Sequence, residues 1–189
     1  MAFLYSKSNR RILLSLIIIF GVCAFWIIGQ SIWFEFIITL FGLLALILTY
    51  FEYTPLFLSI FLSFLVSYSV YELYLQYALP LWLVMIAIFL LFGYIFLYTE
   101  QKIGILGNKR LVYLILFSLI ILEIFLCLNY FLINSLSKSL IIATINYLFI
   151  GFCYTILAKH TDNKFYTYIV VAFSIIAIIF GTSIWGGGV

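Results

Sequence analysis

The chain has 189 residues, of which 68% are hydrophobic and 8% charged, with a formal net charge of +3. Soluble domains carry roughly 25% charged residues, so this composition excludes an ordinary globular protein and leaves almost no chain for a soluble domain. It describes an all-α integral membrane protein, a single transmembrane helical domain over residues 1–189.

A hydrocarbon core about 30 Å thick takes about 20 helical residues per crossing. Seven runs of that kind follow one another: Arg11 to Ile28, Ile32 to Phe51, Pro55 to Leu75, Pro80 to Tyr98, Leu111 to Leu132, Lys138 to Ala158 and Phe165 to Trp185. They are continuously apolar rather than alternating, which predicts helices and not the strands of a membrane barrel. The expected fold is a compact bundle of seven transmembrane helices. Pro55 and Pro80, the only two prolines, fall at helical starts, where a missing N–H costs nothing. Thr54, Asn108 and Asp162 are the expected N-caps. The tightest break is "GQS", Gly29 to Ser31, and without it the bundle has six helices.

With the N-terminus inside and seven crossings, Lys7, Arg10, Arg11, Lys102, Lys109, Arg110, Lys159 and Lys164 lie inside and only Lys138 outside. Eight of the nine basic residues then obey the positive-inside rule. Trp26, Trp33, Trp82 and Trp185 fall near the outer interface in the same arrangement, where tryptophan concentrates. The expected topology is N-in, C-out. The opening "MAFLYSKSNRRILLSLIIIFGVCAFW" has the basic start and apolar stretch of a signal peptide, with Val22-Cys23-Ala24 as a cleavage pattern. Its apolar run continues through Ile28, which favours an uncleaved first helix.

Most membrane chemistries need residue sets that are missing. The single histidine, His160, and the single aspartate, Asp162, share the loop "KHTDNK" and not a helix, so a zinc site of the HExxH kind and an intramembrane aspartate pair are excluded. The loop itself reads as a solvated turn. There is no nucleotide-binding glycine loop, and Cys23, Cys127 and Cys153 form no CxxC pair. No catalytic residue, cofactor or metal ligand is expected, and the chain is not expected to be an enzyme.

What remains is polar residues inside helices. Glu123, in "LIILEIFLCLNYFL", lies about 18 Å along the fifth run, near the bilayer middle, where an exposed charge costs about 3 kcal/mol or more. It is expected to face protein. Counting from a hairpin turn near Ser135 puts Asn146 of the sixth run at the same depth, so the two are expected to meet. Cys127 and Tyr130, four and seven residues on, share the Glu123 face. Such a pair can fix register between two greasy helices or serve as a protonatable site in a transport path, and the scarcity of polar company favours register.

In the third run, Ser59, Ser63 and Ser67 recur every four residues. This narrow stripe suits close helix packing better than a hydrophilic path. Glu35 and Glu72 are expected to make the outer vestibule mildly acidic. Gly21, Gly42, Gly93, Gly151 and Gly181, one in each of five helices, suit tight packing and hinges.

The second half, from "YTEQKIGILGNKRLVYL" through "NYLFIGFCYTILAKHTDNKFYTYIVV", resembles a family of small multi-pass membrane proteins of unknown function found in candidate-phyla bacteria. The resemblance lies in helix layout and in the loop between the fourth and fifth helices. It implies a bacterial cytoplasmic membrane and transfers no site. The expected role is a non-enzymatic subunit or scaffold of a larger membrane assembly, with membrane lipids and other membrane protein subunits as partners and no nucleic acid. The alternative is a small transporter or channel using Glu123, Asn146 and the serines of the third run.

Overall fold

The computed structural model describes residues 7–28, 32–51, 55–103, 110–157 and 164–185. These form seven α-helices: α1 Lys7–Ile28, α2 Ile32–Phe51, α3 Pro55–Tyr77, α4 Leu81–Ile103, α5 Arg110–Asn129, α6 Ser135–Phe152 and α7 Lys164–Trp185. Five of them, α2 to α6, are long and apolar enough to cross a membrane, and α1 and α7 carry the shorter apolar stretches Arg11–Ile27 and Tyr166–Ile179. The expected caps Thr54, Asn108 and Asp162, the break at Gly29 to Ser31 and most of the "KHTDNK" loop lie outside the described residues.

The organising element is α3. It is buried along most of its length, whereas less than a third of α2 and of α5 is. Its most extensive contact is with α6, followed by α4 and α1. The two central helices run antiparallel, as two contacts far apart along them require: Asn146 of α6 meets Ser59 and Ser63 near the start of α3, while Lys138 of α6 lies over the Tyr71 ring near its end. Small side chains permit this approach. Ser59, Ser63 and Ser67 are fully buried on α3, and Ser135, Ser139 and Ala143 repeat the four-residue spacing on α6, also buried. Each stripe puts one small residue per turn on the facing side, so the backbones come close and dispersion contacts multiply.

Three glycines make contacts that a side chain would block, Gly21 of α1 among them, whose would-be Cβ sits 2.9 Å from Leu65 of α3. A Cβ on Gly151 of α6 would sit 2.6 Å from the Tyr168 ring of α7, and one on Gly42 of α2 would sit 2.6 Å from Val22 of α1. Gly181 differs, having nothing within 4 Å of its would-be Cβ. Beyond Phe152, α6 widens into a π-helical turn, Cys153–Leu157.

The hairpin between α5 and α6 departs from expectation. α5 ends at Asn129 and α6 begins at Ser135, with Asn134 as N-cap accepting from the Ser137 N–H at 2.8 Å. The turn therefore centres near Leu132, not Ser135. An amide side chain that caps a helix extends it backwards past Lys138, where hydropathy alone would begin it.

Candidate functional site

Asn146 is the most completely buried polar side chain of α6 that reaches another helix, at 1% exposure. Its Nδ2 donates to Ser63 Oγ at 2.6 Å, to Ser59 Oγ at 3.0 Å and to the Ser59 carbonyl at 3.2 Å. Ser63 Oγ in turn donates to the Ser59 carbonyl at 2.8 Å, and Ser67 Oγ to the Ser63 carbonyl at 2.6 Å. The serine stripe is thus at once a packing surface and the acceptor set for one amide. Asn146 Oδ1 makes no hydrogen bond among the described residues.

Glu123 takes no part in this seam, and the expected Glu123–Asn146 pair does not form. The reasons are two. With the turn near Leu132, Glu123 stands nine residues before it and Asn146 fourteen after, a mismatch of five residues or about 7.5 Å of helical rise. The buried face of α5 is also the other one: Phe117, Ser118, Ile121, Phe125 and Leu128 point inward. At about 100° per residue, Glu123 stands about 200° round from Ile121. It is exposed on the outside of the bundle, and Cys127 shares that exposed face with it. Tyr130, also exposed, lies in the turn just past the end of α5.

Comparison with protein-family models, curated proteins and solved structures finds no match.

The acidic vestibule is also corrected. Glu35 and Glu72 are buried, at 7% and 8% exposure. Gln76 Nε2 donates to Glu72 Oε2 at 3.4 Å. Among the described residues no group of three or more His, Cys, Asp or Glu could hold a metal ion.

Three features escaped the sequence reading. Lys138, counted there as the lone outer cation, is buried with Nζ 5.5 Å from the centre of the Tyr71 ring. That ring stacks on Phe125 of α5 at 4.1 Å, and its hydroxyl donates to the Phe125 carbonyl at 3.1 Å. Lys138, Tyr71 and Phe125 so tie α6, α3 and α5 together, a cation–π contact adding to aromatic packing. On the hairpin between α4 and α5, Arg110 Nε lies 2.7 Å from Glu100 Oε2, and Arg110 Nη2 donates to the Leu97 carbonyl at 3.4 Å. The third is a largely apolar groove of about 530 Å³ between α2, α3, α6 and α7, with Thr144 and Tyr147 carrying its hydroxyl groups. Its walls include Phe41, Phe61, Phe64, Ala143, Tyr147 and Ile175. A lining of this chemistry suits hydrocarbon far better than a polar solute.

Proposed function

We propose that the chain is a non-enzymatic subunit or scaffold of a larger membrane assembly. In this reading it is a bundle of seven transmembrane helices, N-in and C-out, set in a bacterial cytoplasmic membrane as the family resemblance implies. Lipids and other membrane subunits are its partners. The supporting observation is the position of Glu123, exposed on the outer face of a helix long and apolar enough to span a membrane. Facing lipid at that depth, a charged side chain costs about 3 kcal/mol on insertion scales. A partner that covers the face and offers a hydrogen bond removes most of that cost. The apolar groove, open along the same bundle, suits a lipid chain.

Transport would need Glu123, Asn146 and the serines to share one path. Asn146 sits with Ser59 and Ser63 in a seam of buried side chains, while Glu123 is on the opposite face of α5 from the core. Gentle extraction in lipid discs, together with flux measurements in vesicles, tests the reading. A larger assembly is expected, with no flux that depends on Glu123. A solitary chain whose proton or solute flux is abolished by Glu123→Gln would overturn it.

A further inference from the structure

The subunit reading leaves open what covers α5. Along its outward face, Val112, Leu116, Leu119, Glu123 and Leu126, with Tyr130 one residue past the helix end, advance by four, three, four, three and four residues. This is the 3.5-residue spacing that keeps one seam of a helix turned toward a partner helix. Val112, Leu116, Leu119, Glu123 and Tyr130 are exposed, and Leu126 is half-buried. The stripe lies directly opposite the inward face of Phe117, Ile121, Phe125 and Leu128, so a helix could dock on it without disturbing the bundle.

We propose that α5 pairs through this stripe with α5 of a second copy of the chain, about a twofold axis along the membrane normal, so that the two Glu123 carboxyl groups hydrogen-bond to each other. The inference rests on the subunit reading and names its partner.

Symmetry and chemistry both favour a second copy. Copies of one chain insert with the same orientation, and a twofold axis along the normal brings every residue to the depth of its own counterpart. Glu123 then meets Glu123 without further adjustment. A foreign helix would have to supply a polar group independently at that depth. A carboxyl group is self-complementary: protonated, it donates through its O–H and accepts through the remaining lone pairs. Two of them sharing at least one proton satisfy each other with short O–H···O bonds. The rest of the stripe is aliphatic except for Tyr130, at the helix end, and every aliphatic residue meets its like. Interhelical hydrogen bonds of polar side chains are a known source of association between membrane helices, for which apolar side chains alone give no hydrophobic drive.

Cys127, exposed one turn beyond Glu123, offers a direct test in the full chain. The variant Cys23→Ala/Cys153→Ala keeps Cys127 as the sole cysteine of the three. Membranes holding it are treated with a short bis-maleimide. A covalent dimer at twice the 21.9 kDa chain mass is expected. Glu123→Gln, which still donates and accepts, should retain it within about twofold, whereas Glu123→Leu should lower the yield about tenfold. Moving the cysteine to Leu119 should preserve the dimer, and moving it to Ile124, about 120° round from the stripe, should lose it. If neither Cys127 nor a cysteine at 119 gives a dimer while the chain still travels in a larger assembly, the self-pairing is wrong and the subunit reading stands. Glu123→Gln failing as badly as Glu123→Leu would also overturn self-pairing, since it would indicate a cationic partner for an ionised carboxylate. A solitary chain with no crosslink sinks both.

Discussion

Asn146 of α6 donates to Ser63 Oγ of α3 at 2.6 Å, in a seam where both residues are shut off from the outside. Bonds of this kind between membrane helices contribute about 0.6 kcal/mol on average and up to about 1.7. The short distance and the shared Ser59 acceptors place this one at the upper end. Asn146→Ala is expected to lower stability in detergent or lipid by about 1–2 kcal/mol. In a double-mutant cycle with Ser63→Ala, the coupling should be about 1 kcal/mol. A coupling near zero would mean that the seam is packing alone.

The Arg110–Glu100 pair closes the hairpin between α4 and α5, with side-chain exposures of 20% and 8%. Removing one member of a buried pair leaves an uncompensated charge and typically costs about 3–5 kcal/mol, whereas removing both costs much less. The fifth of the Arg110 side chain that remains exposed reduces the expectation to about 2–3 kcal/mol for Arg110→Met. Glu100→Gln/Arg110→Met should recover at least half of the loss in a thermal unfolding series. Equal destabilisation of single and double variants would contradict the pairing.

Glycines 151 and 181 should respond in opposite senses to alanine. At 151 the new methyl group meets the Tyr168 ring at 2.6 Å, and α7 must shift outward. Overpacking of this kind costs about 1–3 kcal/mol. At 181 the methyl group enters open space within α7, where alanine is favoured over glycine by about 1 kcal/mol. Gly151→Ala should melt lower than the parent chain and Gly181→Ala at least as high.

The helices were legible in the sequence because hydrophobic length is what the membrane demands of a spanning segment. All five that are long and apolar enough to cross correspond to expected runs, with ends within a few residues. The start of α6 was misread because Asn134 is a polar residue whose value lies in its cap, a property invisible to hydropathy. That shift propagated directly into the depth assigned to Asn146. The side of α5 that faces inward was illegible for a second reason. In a chain apolar on every side, the hydrophobic pattern that identifies the buried face of a soluble helix disappears. α5 is nearly uniform in this respect, and only its contacts with α3, α4 and α6 reveal that Ile121 and Phe125 point in and Glu123 out. The serine stripe was legible as packing because small residues every fourth position have one geometric consequence. That it also serves Asn146 required knowing that α6, distant in the chain, makes the most extensive contact with α3.

The claim that matters most is that Glu123 marks a covered face and that the chain works as part of an assembly. Excising the full chain from its membrane in polymer-bounded native discs and measuring the mass of the protein in each disc tests this directly. At least two chains per disc are expected, retained with Glu123→Gln and reduced to one 21.9 kDa chain with Glu123→Leu. A wild-type protein that occupies its discs as a single 21.9 kDa chain, with no second protein beside it, would show that Glu123 faces bare lipid and that the chain works alone.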